Sequence, residues 1–534
     1  MNKASQIKFY KSILKDNEIL LLKSSDSFFG CHYSSSPLNV LTNFSGTSGE
    51  AVIDKSGNIK LFVDTRYHLL ADKITNKDVQ IYKMQLAETF FDSLKKIYKK
   101  NTVLHVPCDI LLKDYLKYDS YFDVRKYTLK DNFAKNNDIN LKNSIFIVDK
   151  EIERQDFSFK INKLKKNNFN IDKMLVFDLD EIAYLTNLRS FQMQNSSLFS
   201  SILYLDFKNS NYVLFADGCE KIKIENLNIL KLSEFNNYIQ SIQDEIHVDV
   251  EKINVKNYLL IKKPKEIKNN NLSLYSSVKS ISVIKELEKS FSKLDKAIFN
   301  FKNQLKAGLS EYDLKNIFEK ELLKQGAKTT SFKTIMALDS NSASIHYTDY
   351  DKNKILQDEM LFLLDCGGYW DGGYATDITR TFYFGSRPSL LYKKIYTNVL
   401  KAFINCFLSK ETNASKVDYI ARKILKPFEK CGFKFNHGLG HGIGTSVHQN
   451  PPRLSISSDD IIKPYQVHSI EPGLYGKDIE IGLEFGVRIE NCVYWDVEYN
   501  RYSLSKFPFE EVLIDYGMLN EIEADFVKKW QESF

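Results

Sequence analysis

The chain lacks any apolar run near the roughly 18 residues that a membrane span requires, which argues against a helical anchor. Its first residues, MNKASQIKFYKSILKDNEILLL, set lysine and acidic side chains among the apolar ones and offer no small-residue cleavage site, so no secretory leader is expected. Cysteine is sparse: Cys31, Cys108, Cys219, Cys366, Cys406, Cys431 and Cys492 are odd in number, widely spaced and without a CxxC. A disulfide framework is therefore not expected, and reduced thiols in a cytoplasmic protein fit better. Charge of one sign is missing too. The net charge is +6, with basic residues dispersed among acidic ones, and a nucleic-acid surface would need them clustered. The first two thirds of the chain carry neither a Walker loop nor a GxGxxG.

What is present is ample apolar material: 43% hydrophobic and 13% aromatic in 534 residues, too long for one core and enough for two to four domains. Residues 1–142 read as alternating helix and strand, with an amphipathic helix over 7–14 and a hairpin joining 50–53 to 59–64 across Lys55-Ser56-Gly57-Asn58. The Asn-rich stretch 135–142 is a plausible linker. Residues 143–275 repeat the ingredients: a helix over 159–166, a strand over 174–177, and paired strands over 201–205 and 212–216. Two related α/β domains are expected from this weak internal similarity. From residue 276 the texture changes. Ile284, Leu287, Phe291, Leu294, Ile298, Phe301 and Leu305 recur at three- and four-residue steps and describe a long amphipathic helix. Gly308 stops it, Ser310 with Asp313 caps a second helix over 311–324, and Gly326 closes that one. The third domain is thus assigned to 276–534.

Histidine is scarce, yet five of nine fall between His346 and His468. Residues 365–490 add Asp365, Asp377, Glu471, Glu484 and Glu490. The stretches 360–365 and 375–384 read as two strands around the loop CGGYWDGGY, and their pairing would set Asp365 beside Asp377. Two adjacent carboxylates repel unless one keeps its proton or a cation lies between them. His437-Gly-Leu-Gly-His441-Gly-Ile-Gly has too much glycine for a zinc helix and lacks the glutamate of HExxH, so it is expected to be a tight loop or strand. His448 follows it. Glu471 precedes a Pro-Gly turn, and period two puts Glu484, Arg488 and Glu490 on one strand face, leaving Glu484 and Glu490 as rival ligands. His468, Asp371 and Cys366 are read as structural. Two aspartates, two glutamates and one imidazole form an oxygen-rich set suited to Mn²⁺ above all. Four carboxylates balance two dications, which favours a two-metal site.

At these residues the chain resembles the pita-bread metallopeptidases, and within them the long, three-domain Xaa-Pro aminopeptidase branch. The resemblance is carried by SIHY at 344–347, LLDCGGYWDGGYATDITRTF at 363–382, HGLGHGIGTSVH at 437–448, IEPGLY at 470–475 and GVRIEN at 486–491. DTRY at 64–67 and LDEIAYLTNLRS at 179–190 resemble the two creatinase-like N-terminal domains of that form. The interval from Asp365 to Asp377 is one residue longer than the commonest pattern. The resemblance implies Asp365, Asp377, His441, Glu471 and Glu490 as ligands of two metal ions. It implies a metal-bridging hydroxide as nucleophile, Glu471 as proton carrier, and His346, His437 and His448 around the cleft. Arg488 would orient a ligand carboxylate, with Tyr475 in a similar part. The implied substrate is a peptide with proline second, cleaved before that proline, and the implied assembly is a homodimer. A prolidase acting on dipeptides is the alternative. A methionine aminopeptidase fits less well, with some 275 residues preceding the catalytic domain, and a non-catalytic scaffold relative would not be expected to keep all five ligands.

Overall fold

The hairpin expected at Ser56-Gly57 forms, with strand Glu50–Asp54 antiparallel to strand Ile59–Val63. Gly57 turns it with φ of 94°, a left-handed backbone that favours glycine. This computed structural model describes residues 3–24, 36–128, 145–167, 170–219, 221–268 and 271–534. Cys31 and the linker expected at 135–142 lie outside the described residues.

The chain divides into two compact units. The first comprises Met1–Ser144, Phe157–Thr186 and Ser200–Asn270. It contains two six-stranded sheets. One orders its strands Val79–Lys83, Ile59–Val63, Glu50–Asp54, Ile19–Lys23, Val103–Pro107 and Asp123–Tyr127. The other orders them Asn228–Leu230, Asn211–Ala216, Ser201–Asp206, Lys173–Val176, Ile246–Asp249 and Pro264–Ile267. In both, the fourth strand of the sheet's own sequence lies at one edge and the sixth at the other. In both, the neighbour pairs run parallel, antiparallel, antiparallel, parallel, parallel. The similarity faint in the sequence is therefore complete in the topology. Phe62, Leu104, Tyr204 and Val248 belong to one apolar cluster shared by the two sheets.

The second unit comprises Ile145–Asp156, Asn187–Phe199 and Asn271–Phe534. The amphipathic helix runs Ile281–Lys302 and buries Val283, Ile284, Leu287, Phe291, Leu294, Ile298 and Phe301, each worth about 1.5–3 kcal/mol if removed from water entirely. Helix Glu311–Lys324 starts with a reciprocal capping box between Ser310 and Asp313, which satisfies two otherwise unpaired backbone donors. Strands Ile335–Leu338, Met360–Cys366 and Ile378–Phe384 form an antiparallel sheet with Met360–Cys366 in the centre. Alternation sorts that strand. Phe362, Leu364 and Cys366 join the core of the two helices, while Leu363 packs with Ile335, Ala337 and Tyr347. Asp365 therefore points away from the cluster that takes Cys366. A further apolar cluster joins helices Leu390–Leu408, Ala414–Leu425 and Glu521–Gln531 to strands Gly473–Lys477 and Glu484–Arg488. Two short strands, Ile145–Ile147 and Leu188–Ser190, pair within this unit. Ser197 Oγ lies 2.6 Å from Gly373 O and 3.1 Å from Thr445 O. The architecture is mixed α/β. No helix among the described residues is long and apolar enough to cross a membrane.

Candidate metal centre

Three chain segments meet around the buried Asp365. The first is the central sheet, in whose register Asp365 stands opposite Thr379. Asp377 immediately precedes the strand that Ile378 opens, so the two aspartates are diagonal neighbours rather than a directly opposed pair. The second is the glycine-rich segment. Gly440–His441 is a two-residue strand paired with Arg453–Leu454, not a helix. A Cβ on Gly440 would lie 2.1 Å from Ser469 O and one on Gly442 2.1 Å from Gln449 O, so these glycines are required by close backbone approach. The third is the hairpin of Gly473–Lys477 with Glu484–Arg488, from which the chain continues to Glu490.

One ligand atom each from Asp377, His441 and Glu490 lies within 4.8 Å of the other two. His441 Nε2 is 3.6 Å from Asp377 Oδ2 and 3.3 Å from Glu471 Oε1. Asp365 is tied to the group through Arg488, which donates from Nη2 to Asp365 Oδ2 at 2.6 Å and from Nε to Thr379 Oγ1 at 3.0 Å. Thr379 Oγ1 in turn donates to Glu490 Oε2 at 2.7 Å. Asp365, Asp377, Glu490 and Arg488 are buried, while Glu471 and His441 are half-buried.

Four carboxylates thus crowd around a single guanidinium. Burial pushes Asp377 well above the usual carboxylate range, and the neighbouring Glu490, Asp365 and Glu471 push it further. Burial and then Glu471 and Asp365 do the same to Glu490. Asp365 is raised by burial against the opposing pull of Arg488. One oxygen of each of these three acids, Asp365 Oδ1, Asp377 Oδ1 and Glu490 Oε1, is buried with no hydrogen-bond partner among the described residues. Leaving such oxygens bare costs about 1–3 kcal/mol apiece or more when charged. Hard or borderline divalent cations are the partners this oxygen-rich, single-imidazole set fits.

The remaining residues singled out in the sequence are distributed as follows. His437 is buried, with Nε2 2.9 Å from the Tyr475 hydroxyl and Nδ1 3.8 Å from Glu471 Oε2. Tyr475 also accepts from Arg488 Nη1 at 2.8 Å. A chain of contacts therefore runs from Asp365 through Arg488 and Tyr475 to His437. His448 is exposed, its ring centroid 4.2 Å from that of His441. His346 is half-buried, one residue after Ile345, whose carbonyl accepts from Arg488 Nη1 at 3.4 Å. Glu484 is half-buried at the other end of its strand, opposite Lys477, and does not join the group. Asp371 pairs with Lys328 at the surface. His468 is buried against Trp495, with Nδ1 3.1 Å from Gln466 O, and burial lowers its pKa to about 4.

Two supporting residues escaped the sequence reading. Arg380 is buried and donates to the carbonyls of Thr379, Glu490, Phe507 and Pro508 and to Asn491 Oδ1, which fixes the main chain at Glu490. Its signal was a lone charge inside the strand-like run ITRTFYF. Ser469 Oγ accepts from His441 N–H at 3.1 Å and donates to Glu471 Oε1 at 3.2 Å. Its signal was period two from Glu471.

The stretch that carries these residues matches the model of metallopeptidase family M24 over residues 285–496, and residues 138–287 match the creatinase/prolidase N-terminal domain. Xaa-Pro aminopeptidase 1 of Dictyostelium discoideum is 25% identical over 92% of this chain and 85% of its own length. An uncharacterized peptidase of Methanocaldococcus jannaschii is 30% identical over 55% of this chain and 82% of its own. The crystal structure of an X-prolyl aminopeptidase from Caenorhabditis elegans, described as a cytosolic enzyme with a di-nuclear active site, superposes with a TM-score of 0.87. That match covers all of this chain and 95% of the other at 20% identity, and it establishes the fold. Domain matches in this order and an archaeal relative shared over most of its length agree with the carboxylate cluster, and the chain belongs to metallopeptidase family M24.

Proposed function

We propose that the protein is a metal-dependent aminopeptidase that hydrolyses the peptide bond between an N-terminal residue and a following proline. The observation that carries the reading is the grouping of buried Asp377 and Glu490 with half-buried His441, beside buried Asp365, with three carboxylate oxygens lacking any hydrogen-bond partner among the described residues. In this reading Asp365, Asp377, His441, Glu471 and Glu490 hold two divalent cations, with Mn²⁺ the ion best matched to the donors. When bound, such ions supply Lewis acidity and a water acidic enough to ionise near neutral pH.

This chain's own residues do the rest. Glu471, half-buried and facing both His441 and His437, accepts a proton at its carboxylate and delivers it to the leaving nitrogen. His346 and His448 orient the scissile carbonyl and stabilise the charge that develops on its oxygen. His437 lines the same cleft, held by Tyr475. Arg488 fixes the orientation of Asp365. Proline after the scissile bond gives a tertiary amide with no N–H and a fixed φ, so the substrate must be recognised by ring shape and by its free amine. The relatives named Xaa-Pro aminopeptidase, matched over nearly the whole chain, support the proline preference. The reading also includes a division at 142 and 275 into two α/β domains and a catalytic domain. A homodimer and a cytoplasmic location complete it.

The test is substrate choice. Mn-loaded protein is offered an Xaa-Pro-Xaa tripeptide, an Xaa-Pro dipeptide and a Met-Ala-Xaa peptide. Fastest release of the first residue of the tripeptide is expected. Preference for the dipeptide would make it a prolidase, and release of Met would make it a methionine aminopeptidase. Metal analysis should find up to two ions per chain, and His441→Ala or Glu490→Ala should abolish turnover in a folded protein.

A further inference from the structure

The residues flanking His346 are held by a carboxylate that lies outside the proposed ligand set. Glu311 opens helix Glu311–Lys324 and is fully buried. Its Oε1 accepts from Leu338 N–H at 2.8 Å and from Asn341 Nδ2 at 2.9 Å. Its Oε2 accepts from the Tyr347 hydroxyl at 2.6 Å and from Asp351 N–H at 2.9 Å. All four donors belong to one stretch, 338–351, which leaves its strand in the 3-10 turn Asp339–Ala343 and then carries His346. Two donors sit before the histidine, and the other two follow it, one of them on the adjacent residue.

The same stretch is fastened to the hairpin that bears Arg488. Gly486 N–H donates to Ser342 Oγ at 2.8 Å, and Arg488 Nη1 donates to Ile345 O. A Cβ on Gly486 would come 2.1 Å from Ser342 O, so the two backbones are in direct contact. His346 is therefore suspended between Ile345, tied to the Arg488–Asp365 pair, and Tyr347, tied to Glu311.

We propose that Glu311 is a positioning residue that sets the place of His346 through Tyr347, Asn341 and Asp351. The proposal rests on the aminopeptidase reading, in which His346 meets the substrate. The chemistry of the anchor is specific. A carboxylate is acceptor-only and can meet four donors with two oxygens. A glutamine of the same shape has one acceptor oxygen, and its NH₂ would confront two of the four donors, one of them a backbone N–H in either flip. Glu311→Gln keeps the volume and removes the match.

The experiment is a double-mutant cycle in Mn-loaded, full-length protein. It uses Glu311→Gln, His346→Ala and the combination, with an Xaa-Pro-Xaa tripeptide as substrate. Turnover, KM, bound metal per chain and thermal unfolding are read for each. Glu311→Gln is expected to lower kcat by about tenfold or more with metal content unchanged, since a misplacement near 1 Å costs on the order of a hundredfold. In the His346→Ala background the same change should cost under about twofold, because the residue it positions is gone. An equal loss in both backgrounds would overturn the proposal, and so would a lower melting temperature with kcat intact. If Glu311→Gln does not fold, Tyr347→Phe runs the same cycle by deleting a single hydroxyl. Full activity in His346→Ala alone would overturn the proposal through the aminopeptidase reading of His346, an outcome distinct from additivity.

Discussion

Substituting Gly440 by alanine tests how tightly the imidazole of His441 is fixed by backbone contact. The added Cβ would lie 2.1 Å from Ser469 O, 2.8 Å from the Ser469 carbonyl carbon and 2.9 Å from its Oγ. Carbon and carbonyl oxygen sit no closer than about 3.3 Å, so the two strands must part by roughly 1 Å. The obstructing atom is main chain, and no rotamer change relieves it. Gly440 does not adopt a left-handed φ, so the cost is contact alone. The displaced serine is also the one that receives His441 N–H and touches Glu471 Oε1, and both proposed ligands should move with it. Overpacking of this kind costs about 1–3 kcal/mol, or roughly 2–10 °C in melting temperature for a unit of this size. A 1 Å displacement at the reacting groups costs on the order of a hundredfold in rate, about 2.7 kcal/mol. The comparison is Gly438→Ala, whose Cβ would meet Leu454 O at 3.0 Å and needs a shift of only a few tenths of an ångström. Its kcat/KM should stay within about threefold of the parent. The assay is steady-state release from an Xaa-Pro-Xaa tripeptide by Mn-loaded protein, with melting followed by circular dichroism. If the two alanine variants show equal activity, backbone contact does not set the position of His441.

Metal removal should destabilise the protein more at pH 8 than near pH 4, the ordinary carboxylate value. Asp377 and Glu490 are raised above the usual carboxylate range in the folded chain, so the stability they contribute is present at low pH and is lost as pH rises through their folded values. Mn²⁺ at one fixed free concentration should therefore restore more melting temperature at the higher pH, where its Kd is lower; a free concentration a hundred times Kd adds about 2.7 kcal/mol of stability. Tyr475→Phe removes the nearer of two acceptors of Arg488 Nη1 and the partner of His437 Nε2, and should lower kcat/KM by about 10- to 100-fold with the fold retained. Arg380→Lys replaces five fixed donors by three mobile ones at a site where burial already lowers the arginine to about 10, and should cost about 3–5 kcal/mol by urea unfolding.

Local chemistry was the legible part of this chain. The capping box at Ser310, the hairpin at Gly57 and the long apolar stripe of Ile281–Lys302 each depend on residues within one or two turns of each other. The glycines around His441 excluded a zinc helix for the same local reason. Between Glu484 and Glu490 period two could not decide. The strand ends at Arg488, and Glu490 turns inward to accept from Thr379, a partner 111 positions away. Asp365 and Asp377 were expected side by side, and a two-residue offset in register made them diagonal. Arg380, Ser469 and Glu311 could not be given roles from the sequence because each acts on main chain or on a residue brought near only by the fold. The short strands Ile145–Ile147 and Leu188–Ser190, three residues each, carry no periodic signal that would assign them to the second unit.

That second unit has a history written into its order of synthesis. Its pieces Ile145–Asp156 and Asn187–Phe199 emerge before any residue of Asn271–Phe534 exists. The partner of Ser197 at Thr445 follows 248 positions later, which at about 5–20 residues per second is a wait of roughly 12–50 s. Arg189, fully buried in the finished unit, meets Tyr374 only after 185 further residues have been made. The first unit can close while translation continues, as Asn270 ends its last piece, but the second is a product of the completed chain.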